Sequence, residues 1–194
     1  MIVSVIGLGY IGLPTAALLA SNGMHVIGVD VNESVVNTIN QGMIHIVEPG
    51  LSDFVKKSVS EGNLHATTVP EKADIFIVSV PTPFKEDFKP DISYIENAAK
   101  SISSILEKGN LVILESTSRV GTTEKMMDIM QKERPDLLFP KCGKDDPDID
   151  VYIAHCPERV MPGKVIQELV ENDRVVGGLT NTCSEKAKQM YKTF

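Results

Sequence analysis

Apolar residues recur along this chain in two alternating arrangements, short continuous runs and helically spaced stripes. Ile2, Val3, Val5 and Ile6 form a nearly continuous run of the kind a parallel strand needs when both of its faces are covered. The run breaks into Gly7-Leu8-Gly9-Tyr10-Ile11-Gly12. Ala16 to Ala20 then continue as a helix, with Pro14 in its first turn, where the missing N–H costs little. The same strand-then-helix unit repeats. His25 to Asp30 reads as a second strand, followed by an amphipathic helix through Val35, Val36 and Ile39 that stops near Gly42. A loop over Met43 to Gly50 precedes a helical stretch from about Leu51 to Ser60, and Asn63 to Thr68 read as a short strand.

Asp74 to Val80 is the clearest strand of the chain, and it ends at Pro81-Thr82-Pro83, where two prolines forbid both helix and ladder pairing. From Asp91 to Leu106 the apolar positions Ile92, Ile95, Ala98, Ala99, Ile102 and Ile105 have helical spacing, and Gly109 ends them. Leu111 to Leu114 form the next buried strand, with a helix from about Thr122 to Glu133 whose Met126, Met127 and Met130 read as core filling. Pro135, Pro140 and Pro147 and the charged run Lys144-Asp145-Asp146 mark an irregular loop. Val151 to Ala154 and Arg174 to Gly177 are predicted strands, and Asn181 to Lys192 the last helix. The pattern as a whole predicts an α/β fold: a Rossmann-like doubly wound, mostly parallel sheet with helices on both faces.

Composition narrows the partners. A chain of 194 residues can bury one substantial core, and its 19 basic against 26 acidic residues give a net charge of −7. No basic cluster exceeds the pair Lys56-Lys57, which argues against nucleic acid. No apolar stretch approaches the roughly 20 residues of a membrane span, and the glycine-broken first run lacks the basic flank of a signal peptide. The expectation is a cytoplasmic protein without a membrane partner. Cys142, Cys156 and Cys183 are odd in number and lack CxxC spacing, which argues against a disulfide framework and against a metal site.

The candidate chemistry lies at the strand ends, because open α/β sheets bind ligands outside the carboxyl ends of their strands. In the first turn, Gly7 would allow a tight bend, Gly9 a close approach of the backbone to a pyrophosphate, and Gly12 close packing of the helix on the strand. The helix start offers its amides and positive dipole end to the phosphates. Asp30, 23 residues after Gly7, stands where an acid would accept hydrogen bonds from an adenosine ribose. Val31, Asn32, Glu33 and Ser34 follow it without a cation for a 2′-phosphate, so the cofactor expected is NAD rather than NADP. Thr82, Glu115 to Thr117 and Glu158-Arg159 occupy three further strand ends. Any one of these could be a turn residue alone, Thr117 for instance capping the next helix. His45 reads as a loop residue facing solvent.

Taken together, Gly7 to Pro14, Ile44 to Pro49, Val80 to Lys85, Leu114 to Ser118, Cys156 to Gly163 and Glu171 to Gly178 resemble the NAD-dependent UDP-sugar 6-dehydrogenases. The Cys156-Pro157-Glu158-Arg159-Val160 and Glu171-Asn172-Asp173-Arg174-Val175 segments resemble the branch that acts on UDP-N-acetylmannosamine. The resemblance implies that Tyr10, Ile11, Asp30, Thr82 and Thr117 contact NAD and that Arg159 and Val160 reach a UDP-sugar. It implies that Thr117 and Glu158 assist catalysis through a bound water, Glu158 as general base, unless that carboxylate is simply paired with Arg159 or a lysine. Enzymes of this kind oxidise the sugar C6 alcohol to a carboxylate in two hydride transfers, through an intermediate held on a cysteine.

That cysteine's G-G-x-C segment and the partner lysine find no match in the 194 residues. The expectation is therefore a fragment that binds NAD without turnover, residues 1–180 being the cofactor domain and 181–194 the start of a connecting helix to an absent UDP-sugar region. The full-length protein is expected to be a homo-oligomer. The alternatives are a dehydrogenase for another UDP-sugar, such as UDP-N-acetylglucosamine or UDP-glucose, and a non-catalytic nucleotide-sensing domain.

Overall fold

A computed structural model describes residues 1–86, 89–144 and 147–193, so that Asp145 and Asp146 of the charged run and the terminal Phe194 lie outside the described residues. Six strands and their flanking helices follow the predicted order. β1 (Ile2–Ile6) leads into α1 (Gly12–Ser21), β2 (His25–Val29) into α2 (Glu33–Asn40) and α3 (Leu51–Ser60), and β3 (Leu64–Thr67) follows directly. Then come β4 (Ile75–Val78), α4 (Ser93–Ser103), β5 (Leu111–Leu114), α5 (Thr122–Glu133) and β6 (Tyr152–His155). α6 (Val165–Glu171), β7 (Gly177–Gly178) and α7 (Asn181–Tyr191) complete the chain.

The strands form one sheet in the order β3-β2-β1-β4-β5-β6-β7, parallel throughout except for β7. The order reverses direction beside β1, which creates the crevice where such sheets bind ligands. Alternate residues of each strand enter opposite cores, as a period of two requires. Val3, Val5, Ile75, Ile77, Leu111 and Ile113 pack with residues of α1, α3 and α7, and Phe76, Val78, Val112 and Leu114 pack with α4 and α5.

The predicted strand over Arg174 to Gly177 is shorter and lies elsewhere. Pairing is confined to Gly177 and Gly178, antiparallel to His155 and Ala154. The Arg174 guanidinium is drawn inward to the Leu169 carbonyl at 3.1 Å, and Val175 is 60% exposed, so the apolar pair Val175-Val176 never joins the ladder. α6 carries no local signal that predicted it. It has no side-chain N-cap of its own; instead Glu48 accepts the Val165 amide at 2.8 Å from 117 residues away.

The β1–α1 turn is set by backbone crowding. Gly7 has φ +94°, in the left-handed region that favours glycine, and a Cβ there would lie 2.5 Å from the Ser79 carbonyl oxygen. At Gly12 a Cβ would fall 1.8 Å from the Gly7 carbonyl oxygen, so α1 abuts the turn with no room for a side chain. A Cβ on Gly9 would meet nothing within 4 Å. Gly12→Ala should therefore destabilise the protein by about 3 kcal/mol or more, since backbone and not a movable side chain must yield. Gly9→Ala should stay within about 1 kcal/mol of the wild type, and urea denaturation of the two variants checks the contrast.

Candidate functional site

The turn between β1 and α1 is joined to the end of β2 by a carboxylate. Asp30 Oδ2 accepts the Leu8 amide at 3.0 Å, and Oδ1 accepts the Asn32 amide at 2.9 Å. The Asn32 side chain in turn caps α2 by accepting from the Ser34 amide. Asp30 thus fixes the glycine turn as well as standing half-exposed at the strand end, each oxygen retaining a second lone pair for a ligand.

Beyond the ends of β4 and β5 lies a cleft of about 270 Å³, whose lining includes Ile11, Thr82, Thr117, Glu158 and Val160. The Thr82 hydroxyl donates to the Thr117 carbonyl at 2.8 Å, and the Ser116 hydroxyl donates to the Val80 carbonyl at 2.8 Å, so the two turns are tied across the sheet. Five of the residues singled out from the sequence therefore share one cleft. Gly7, Gly9, Tyr10, Gly12 and Asp30 form the neighbouring turn on the β1 and β2 side. Arg159 is not brought to the cleft: its guanidinium donates to the Asp173 carbonyl at 2.9 Å.

The glycine turn fits a dinucleotide. Glycine is required at positions 7 and 12 by the fold itself, but Gly9 has neither a positive φ nor a neighbour that a Cβ would strike. Its open side is the cradle a pyrophosphate would occupy, beside the amides that begin α1.

Glu158 holds a different partner from those its sequence suggested. Its Oε2 accepts from Arg174 Nη1 at 3.2 Å, while Arg159 contributes only its backbone amide, 2.7 Å from Oε1. Arg174 also reaches Glu115, the Nη1 to Oε1 separation being 3.7 Å, and its guanidinium lies 4.6 Å from the centre of the Tyr191 ring. Glu115 is 1% exposed. Its Oε2 accepts from the Ser79 hydroxyl at 2.6 Å and from Thr15 Oγ1 at 3.4 Å, and its Oε1 from the Tyr191 hydroxyl at 3.4 Å. Burial raises the Glu115 pKa to about 7, against the Ser79 hydrogen bond and the Arg174 charge, which pull it down. Burial likewise pushes the Cys156 thiol up, which keeps it a protonated, unreactive packing residue.

Two elements of this site escaped sequence reasoning. Glu115 was visible only as a polar strand end, because nothing local tells that residues from α1, β4, α7 and the segment before β7 will enclose it. Glu48 lay in a segment without an assigned role; 4% exposed, it accepts the Gly163 and Val165 amides at 2.8 Å each and so fastens the Glu158–Gly163 loop.

Because the folded state holds the Glu115 proton more tightly than the unfolded chain does, this group's contribution to folding falls as pH rises from about 4.5 to about 7 and then levels off. The loss attributable to this group is about 3 kcal/mol at most. Urea denaturation between pH 5 and pH 8 should show the decline in the wild type and a flatter profile in Glu115→Gln.

Comparison with known proteins agrees with this geometry. The profile of the UDP-glucose/GDP-mannose dehydrogenase family, NAD binding domain, matches residues 1–194. A UDP-N-acetyl-D-mannosamine dehydrogenase of Campylobacter jejuni is 60% identical over 99% of this chain and 47% of its own length. An NDP-N-acetyl-D-galactosaminuronic acid dehydrogenase of Ralstonia nicotianae is 56% identical over 99% of this chain and 45% of its own. The solved structure of a UDP-D-ManNAc dehydrogenase from Pyrococcus horikoshii superposes on all of this chain and 45% of its own, with a TM-score of 0.91 at 39% identity. The chain spans about half the length of the curated relatives it matches. With a whole-length profile match, high identity and a shared sheet, this chain belongs to the UDP-glucose/GDP-mannose dehydrogenase family, as its NAD binding domain.

Proposed function

We propose that this chain binds NAD across the carboxyl edge of its sheet, as the cofactor-holding part of an enzyme that oxidises the C6 alcohol of UDP-N-acetylmannosamine. The observation that carries the cofactor mode is the open, uncrowded Gly9 flanked by two sterically obligatory glycines, with the Asp30 carboxylate at the end of the next strand. Gly7, Gly9 and Gly12 shape the pyrophosphate turn, Tyr10 and Ile11 cover it, and Asp30 accepts from the adenosine ribose. When bound, NAD supplies the hydride acceptor.

The same orientation sets the rest of the roles. With the adenosine held on the β2 side, the cleft lined by Thr82 and Thr117 beyond β4 and β5 would hold the nicotinamide half. There Glu158 acts as general base on a water held with Thr117, its carboxylate oriented by the Arg174 guanidinium and the Arg159 amide. Val160, in the cleft lining, contacts the UDP-sugar, and Arg159, on the same loop but outside the cleft, reaches the part of the sugar nucleotide that projects from it. The nucleophilic cysteine and lysine that the family resemblance implies have no match in the 194 residues, so the chain is given cofactor binding and not turnover. Residues 1–180 are assigned to the cofactor domain and 181–194 to the start of the connection onward, α7 packing against the same core as the chain leaves it.

Identity to the Ralstonia relative, nearly as high as to the Campylobacter one, favours a second reading in which the amino sugar differs. Comparing UDP-N-acetylmannosamine, UDP-N-acetylgalactosamine and UDP-glucose as substrates of the protein that contains this chain separates the two.

For the cofactor, calorimetric titration of the purified chain should show NAD binding and NADP binding weaker by at least about tenfold, the difference expected when a 2′-phosphate faces a carboxylate. Asp30→Ala should weaken NAD by about tenfold or more, the loss of a hydrogen bond to a charged group. Asp30→Asn, which keeps an acceptor for the Leu8 amide, separates the ribose contact from the integrity of the turn. Equal NAD and NADP affinity, or an Asp30→Ala variant with unaltered NAD affinity, would remove the role given to Asp30.

A further inference from the structure

Glu115 forms part of the inner wall of the cleft, yet no role has been given to it. Every element packed around it presents a polar or titratable group. Ser79 comes from the end of β4, Thr15 from α1, Tyr191 from α7, Arg174 from the segment before β7, and Glu158 and Cys156 from the turn after β6. Among these groups one guanidinium faces two carboxylates. If both carboxylates are ionised the cluster carries a net charge of −1, and with one proton retained it is neutral. The wall of the cleft therefore carries a charge deficit that either a proton or a positively charged ligand can fill.

On the reading of the cofactor given under Proposed function, the half of the dinucleotide that reaches this wall is the nicotinamide. That ring carries one positive charge when oxidised and none when reduced, while the phosphates, riboses and adenine are common to both forms. We propose that Glu115 is a specificity-determining residue of the cofactor site, which favours the oxidised over the reduced dinucleotide by releasing its own proton to solvent as the cationic ring enters. The carboxyl becomes a carboxylate, the proton goes to bulk water, and no other bond changes. Ser79, Thr15 and Tyr191 continue to donate to the ionised oxygens, so the exchange needs no rearrangement of the cluster. The exchange falls in the neutral range because burial holds the Glu115 pKa near 7. With that proton retained, Glu158 is the one ionised carboxylate of the cluster facing Arg174, so the charge of the bound cofactor also alters how firmly the cleft carboxylate is held.

The test is isothermal titration calorimetry of the purified chain with NAD and with NADH, each in phosphate and in Tris at pH 7, together with affinities at pH 6 and pH 8. If the ring lowers the Glu115 midpoint by about tenfold in proton affinity, NAD binding releases about 0.4 proton at pH 7 and tightens about fivefold from pH 6 to pH 8. NADH should release none and show no such pH dependence. In Glu115→Gln, whose fold is checked by thermal melting, the proton release should vanish and the ratio of the two affinities should no longer change with pH. Equal proton counts for NAD and NADH in the wild type would overturn the proposal whether or not the variant folds, as would release that persists in a folded Glu115→Gln. Failure of both dinucleotides to bind would instead overturn the cofactor reading itself, and this proposal with it.

Discussion

The approach of α1 to the Gly7 carbonyl is the constraint on which the rest of the site depends. Only a residue without a side chain fits at position 12, because a Cβ would sit 1.8 Å from that oxygen. The contact brings the first turn of α1 directly over the end of β1, where its amides and dipole face the crevice. Leu8, between the two glycines, is fully buried against Gly28 of β2, and its amide is held by Asp30. The glycine turn is thereby fixed to the second strand by packing and by a charge-assisted hydrogen bond, and the position of the Asp30 carboxylate follows from the position of the turn.

The second organising feature is electrostatic. Two carboxylates and one guanidinium inside the protein cannot all be charged without a large desolvation cost, and a single cation shared by two acids leaves one of them undercompensated. Glu115 bears that imbalance because it is the more enclosed of the two. Three hydroxyls compensate part of the lost hydration, which is why the group can remain there at all. Glu158, only slightly less enclosed, is fixed through both oxygens by Arg174 and by the Arg159 amide.

A third carboxylate, Glu48, shows how distant chain segments build one loop. Both of its oxygens are held by backbone amides of the segment that begins α6. Those amides would otherwise be orphan donors at the start of a seven-residue helix, so one buried side chain both satisfies a helix end and anchors the loop that carries Glu158, Arg159 and Val160.

Periodicity and glycine spacing were enough to read the order of strands and helices as far as β6, since each of those elements buries a local apolar pattern. Leu51–Ser60 and Thr122–Glu133 fall where the stripe alone put them. The placement of the glycine turn and of Asp30 was equally legible, because both belong to one strand–helix–strand unit whose geometry is set by residue type at fixed spacing. β7 and α6 were not: Val175-Val176 mimics a strand, and α6 takes its cap from Glu48. Nor could the sequence tell that Glu158 would pair with Arg174 rather than a nearer cation, or that Glu115 would be enclosed by residues from four other parts of the chain. The sequence by itself determined the elements as far as β6 and the last helix, the glycine turn and the family. Only the tertiary structure decided which charges share a low-dielectric space, because burial and ion pairing depend on contacts between residues that are remote along the chain.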